Sequence, residues 1–216
     1  MILSLLLEAT FQTIYMVLVA SFVAALVGIP LGVLLYITRK GNILSKPMLH
    51  RSLGALVNMA RSIPFIILMI AVIPMTRLLV GTSIGTNAAI VPLSLAAMPF
   101  IARIVDSALL EIHKGLIEAA LAMGATPTQI ILKVLLPEAF PSIINGLTLT
   151  VVSLVGFSAM AGAVGGGGLG DVAIRYGYQR FDISVMLITI AIMIVMVQLI
   201  QFCGDTLVKK FSHFRS

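Results

Sequence analysis

Long uncharged apolar runs recur along this chain, and clusters of charge separate each from the next. A hydrocarbon core about 30 Å thick is crossed by roughly 20 helical residues, and the sequence offers five stretches of that kind, approximately 10–38, 54–75, 84–105, 140–164 and 183–204. A segment in lipid must satisfy its backbone polar groups internally, so each run reads as a helix. The fold expected is an all-α membrane protein with five transmembrane helices. It forms a single domain over 1–216, since no polar run is long enough to bury a core of its own.

Composition agrees. Of 216 residues, 60% are hydrophobic and 10% charged, too little polar surface for a soluble domain. The net charge of +6 does not read as a nucleic-acid footprint, because the Lys and Arg residues lie between apolar runs instead of along one helical face. The single cysteine, Cys203, excludes a disulfide framework. The N-terminal run lacks a basic leader and a small-residue cleavage site, so it is expected to be a retained first span.

Lys and Arg are retained on the cytoplasmic side of a membrane. With these spans, Arg39, Lys40, Lys46, Arg51, Arg103, Lys114, Lys133, Lys209, Lys210 and Arg215 fall on one side, and only Arg77, Arg175 and Arg180 on the other. The N-terminus is therefore expected outside and the C-terminus in the cytoplasm. The connection 106–138 becomes a cytoplasmic loop, the longest segment outside the membrane and the place to look for function.

Within that loop, Glu118-Ala119-Ala120-Leu121-Ala122-Met123-Gly124 and then Ala125-Thr126-Pro127-Thr128-Gln129 read as two short helices with a sharp corner. Gly124 suits the left-handed residue that closes the first helix. Thr126 suits an N-cap, Pro127 the first helical position, and Gln129 the third residue of a capping box. The second helix is expected to stop near Leu136 because Pro137 cannot continue it without losing a hydrogen bond. Ala119 and Ala120 keep the first helix slim, and Glu118 adds one anionic anchor. On these grounds alone two readings stand: a hairpin packed under its own membrane helices, or one seated in a partner's groove.

Glu118-Ala119-Ala120, Gly124, Val134 and Leu136-Pro137 together resemble the EAA signature of the permeases of binding-protein-dependent, ATP-binding-cassette type I importers; Val134 stands where that pattern usually has isoleucine. Arg61-Ser62-Ile63-Pro64-Phe65, Val80 to Gly85, Pro99 to Arg103 and Gly165 to Gly170 extend the likeness over nearly the whole chain, toward the methionine-importer permeases. The resemblance implies a coupling-helix hairpin in which Glu118, Ala119, Ala120, Gly124, Ala125, Thr126, Pro127, Leu136 and Pro137 dock on an ATPase. It also implies a homodimer in the bacterial inner membrane, in contact with lipid. Two ATPase subunits would bind ATP and Mg, an external methionine-binding lipoprotein would deliver L- or D-methionine, and this chain would hold no cofactor and hydrolyse nothing.

Other features carry less weight. The run Gly165 to Gly170 lacks the Gly-Lys-Ser/Thr of a phosphate loop, and Gly162 with Gly166, like Gly28 with Gly32, has the small-xxx-small spacing of close helix contact. Arg61 inside the second run either snorkels or finds a partner; with Pro64 one turn on, both are hinge candidates. Ser153, Ser158 and Met160 in the fourth run are candidates for a translocation path, Met160 as a gate, although such hydroxyls commonly bond back to their own helix. His50, His113 and His213 have no metal-ligand spacing, so no metal site is expected. An ion-coupled secondary amino-acid transporter, the main alternative, needs mid-membrane ionisable groups, yet Asp106, Glu138, Asp182 and Asp205 all sit at span ends. A permease of the same type for another small solute is the second alternative.

Overall fold

The computed structural model describes residues 2–212. Among them every regular element is helical: α1 Ile2–Thr38, α2 Pro47–Ser62, α3 Phe65–Ala71, α4 Ile73–Val80, α5 Thr86–Leu110, α6 Lys114–Ala122, α7 Pro127–Ile130, α8 Leu136–Ala163, α9 Gly168–Val172 and α10 Ile183–Ser212. Two π-helical turns, Ile131–Leu135 and Ala173–Tyr178, adjoin α7 and α9. His213 and Arg215 lie outside the described residues.

Among the described residues four helices are long and apolar enough to cross a membrane: α1, the continuous helix Pro127–Ala163, α5 and α10. Helices α2 and α3 meet the same test only when taken together, and the chain bends by 101° between them, so the run expected at 54–75 is not one straight helix. The break has a local cause. Pro64 adopts φ −57° and ψ 136°, and a residue before proline is driven out of the α region, so Ile63 and Pro64 interrupt what reads in sequence as one run.

The chain divides into two compact units. Of the described residues, one takes 2–24 together with Ile63–Ala97 and Leu149–Phe202; the other takes Ala25–Ser62, Met98–Thr148 and 203–212. In the second unit α1 and α5 pack backbone to backbone. A Cβ added at Gly32 would sit 2.5 Å from the Ala102 carbonyl oxygen, and one at Gly28 would sit 2.8 Å from Ile101 Cβ. Only a missing side chain permits that approach. Leu35, Val57 and Ala102 form a buried cluster there, with Leu31 and Leu53 against it. Asp106 is fully buried in this unit and accepts from Arg39 at 3.2 Å and Arg103 at 3.0 Å, which compensates a carboxylate that would otherwise be costly.

In the first unit Phe65, buried at the start of α3, stacks on Phe157 of α8 with ring centroids 4.9 Å apart. Gly162 of α8 lets the backbone around Asp171 approach without a side chain between. The segment after α8 is pinned to α1 by two long-range bonds. The Gly168 N–H donates to Gln12 Oε1 at 2.8 Å and the Leu169 N–H to Thr13 Oγ1 at 2.9 Å.

Candidate functional sites: the helical hairpin and the open face of α8

The hairpin of the second unit is built by local chemistry at each corner. His113 caps α6, its Nδ1 accepting from the Gly115 N–H at 3.2 Å. At the other end Gly124 takes φ +76°, its N–H donates to Leu121 O at 2.9 Å, and the Ala125 N–H donates to Ala120 O at 3.0 Å. These are the two bonds of a Schellman closure, which satisfies carbonyls that the helix end leaves free. Thr126 then opens α7: its Oγ1 accepts from the Gln129 N–H at 3.4 Å, and its own N–H donates to Gln129 Oε1 at 2.8 Å. The capping box expected from Thr126, Pro127 and Gln129 is formed in full.

Past that corner the chain departs from the sequence reading. Pro137 does not stop the second helix; helical backbone runs unbroken from Pro127 to Ala163. The Leu136 N–H reaches Ile131 O, one residue beyond the α partner. A wide turn just before Pro137 gives room to a ring that would crowd the carbonyl four residues back. Leu136 and Pro137 are thus the first residues of α8, and the hairpin is continuous with that long helix.

The hairpin is anchored along one side and bare on the other. Ala120, Ile130 and Leu135 are buried, whereas Glu118, Ala119, Thr126 and Pro127 are exposed. At the tip Leu121 is 51% and Met123 80% exposed, an apolar pair beside an anionic group on a rigidly closed corner.

In the first unit the candidate path residues separate. Leu149, Ser153, Gly156 and Met160 recur at helical spacing on one exposed face of α8, with Met160 47% exposed. Ser158 faces away, buried, its hydroxyl donating to Val155 O at 2.7 Å. The Ser153 hydroxyl likewise bonds back, to Leu149 O at 2.9 Å. Of the hinge candidates, Arg61 lies in the second unit with its guanidinium 4.9 Å from the centre of the Phe100 ring, a cation–π partner in place of a charge. Pro64 is in the break between α2 and α3.

Two charged groupings are not among the site residues singled out from the sequence, and they differ in how far the sequence signals them. The Asp106 cluster joins residues 67 apart in the chain, which spacing does not reveal, although Arg103 and Asp106 are three apart on one helix. Asp171 accepts from Arg175 in an i,i+4 pair, a signal the sequence does carry. That carboxylate, through the hydrogen bond first and its charge second, holds the Arg175 guanidinium above its ordinary range.

An all-helical chain with several membrane-length helices and an exposed, doubly capped helical corner has the form of a transport permease. Residues 28–213 match the family described as binding-protein-dependent transport system inner membrane component, and the chain belongs to that family. Among its relatives, the probable D-methionine transport system permease of Vibrio cholerae is 60% identical over 97% of this chain and 93% of its own length. That of Pasteurella multocida is 52% identical over 95% of this chain and 94% of its own. A solved inward-facing form of the MetNI methionine ABC transporter superposes with a TM-score of 0.95 at 53% identity, covering 96% of each chain. An amino acid ABC transporter crystallised with histidines, 17% identical at a TM-score of 0.78, shares the fold.

Proposed function

We propose that this chain is the translocation subunit of an ATP-driven methionine importer, working as two copies with two ATPase subunits and an external methionine-binding lipoprotein. The observation that carries the reading is the hairpin corner, which is closed by backbone bonds from Gly124 and Ala125 and presents an exposed apolar tip. A corner so constrained transmits force as a rigid body, and an exposed Leu121 and Met123 offer a partner apolar area that water otherwise covers. The close relatives named for methionine transport support the substrate.

In this reading the N-terminus is outside and the C-terminus cytoplasmic, and the hairpin sits in a groove of an ATPase subunit that binds ATP and Mg. Closure of the ATPase pair draws the two hairpins together. Because each hairpin continues into α8 without a break, the movement is delivered to the face carrying Ser153 and Met160, which lines the path. Alternating access follows from a hinge, for which the interruption at Pro64 and the stacked Arg61 supply the flexible point. The Asp106 carboxylate is committed to Arg39 and Arg103, which weakens the ion-coupled alternative.

Uptake of labelled methionine by cells lacking the chain, with and without its restoration, tests this. Uptake should return with the chain and vanish when ATPase activity is blocked; uptake that survives the block contradicts the reading. Competition by other amino acids tests the alternative of a different small solute.

A further inference from the structure

The first unit holds a second constellation that the hairpin and the α8 face do not use. Beside the glycine-rich segment is a cleft of about 500 Å³ whose lining includes Gln12, Thr86, Asp171, Arg175 and Gln179. It is a place where one anionic and one cationic side chain meet hydrogen-bonding amides and a hydroxyl. Adjoining it, with Ile84 and Gly166 lining part of its wall, is a cavity of about 250 Å³ walled mainly by apolar side chains such as Met69, Ile70 and Ile73. Ile84 lines both spaces.

We infer that these two spaces form one recognition site for a zwitterionic α-amino acid with an unbranched apolar side chain. Arg175 takes the α-carboxylate, Asp171 takes the α-ammonium, and the neighbouring cavity takes the side chain. The inference rests on the transport reading above and names the place on this chain where the transported molecule is held.

The charges are arranged for that exchange. Arg175, which lines the cleft, donates to Asp171; its side chain is 62% exposed, whereas that of Asp171 is 12% exposed. A zwitterion inserted between them keeps every charge paired: guanidinium to ligand carboxylate, ligand ammonium to Asp171. Guanidinium and carboxylate geometries match in a two-point contact, which a lysine would not reproduce. A ligand with only one of the two charges would leave Asp171 or Arg175 facing a neutral group, at the cost of an unpaired ion.

The glycine-rich backbone beside the cleft is tied to side chains of α1. Gln12 and Thr13 hold the Gly168 and Leu169 N–H groups, and a Cβ at Gly167 would come 2.9 Å from Gln12 Oε1. A site of mostly apolar wall with a few convergent polar groups is the usual form of a small-molecule pocket.

The test uses the permease–ATPase complex purified in detergent without the lipoprotein, and tritiated methionine as the probe. Saturable binding is expected, competed by norleucine, which keeps both charges and a linear side chain. Methioninamide, lacking the carboxylate, and N-acetylmethionine, lacking the ammonium, should compete at least tenfold more weakly. Asp171→Asn and Arg175→Gln should each weaken binding by tenfold or more, and the analogue series probes the same two contacts on unaltered protein should either variant fail to assemble. If cells carrying the chain take up methionine while the complex does not bind it, or binds both amputated analogues equally well, the site is refuted and the transport reading stands. If the complex binds methionine in an Arg175-dependent way but cells with the chain show no uptake, the site stands and the transport reading falls.

Discussion

The guanidinium of Arg39, just past the end of α1, lies 3.2 Å from Asp106 of α5, whose carboxylate is fully buried and also takes Arg103 at 3.0 Å. Two cations share one acid across a span of 67 residues, and both are partly exposed.

Removing the shared acid should therefore cost more than removing either base. Asp106→Ala leaves two guanidinium groups facing each other across a vacated buried site, whereas Arg103→Ala leaves Asp106 still paired with Arg39. The first is expected to lower stability by roughly 1–3 kcal/mol and the second by less, read as the thermal midpoint of the detergent-solubilised protein. Equal midpoints contradict the account of this cluster.

Gly124 is strained by any side chain, not crowded by one. Its φ is +76°, and a Cβ there would meet nothing within 4 Å. Gly124→Val should cost about 1–2 kcal/mol of backbone strain at the corner and uncouple uptake while membrane insertion stays normal. Gly124→Asn, which tolerates the left-handed region, should keep most of the uptake. Transport assays on the two variants check this, and indifference to valine removes the rigid corner.

At Thr126 the stake is a pair of hydrogen bonds. Thr126→Ala removes the side-chain acceptor for the Gln129 N–H and should destabilise α7 by about 1 kcal/mol, seen as faster amide exchange from Thr128 to Ile130. Thr126→Ser should exchange at the native rate.

Two glycines give opposite signs. Gly32→Val forces a side chain into the Ala102 carbonyl and should destabilise the protein by about 1–3 kcal/mol or more. Gly54, inside α2 with nothing within 4 Å of an added Cβ, should gain about 0.5–1 kcal/mol as Gly54→Ala. Thermal unfolding of both variants settles the contrast.

What is legible in the sequence follows from interaction range. The capping box of Thr126 and Gln129, the closure at Gly124 and the long apolar helices are each determined within a few residues, and all can be read from the sequence. Pro137 reads as a stop and is not one, because a π turn absorbs the ring at the expense of one widened turn and lets α8 begin where an end is expected. Phe65 stacking on Phe157, and Arg39 meeting Asp106, depend on how distant helices pack, which no local spacing encodes. Composition groups Ser153, Ser158 and Met160 together; helical phase separates Ser158 from the other two.

The most direct test of the central proposal places a photo-activated cross-linker at Met123, the most exposed large side chain on the hairpin tip, in the assembled importer in native membranes. The account predicts a cross-link to the ATPase subunit that changes in yield when nucleotide is added. A probe that captures only lipid or the permease itself, with and without nucleotide, would show that no motor is seated on the corner.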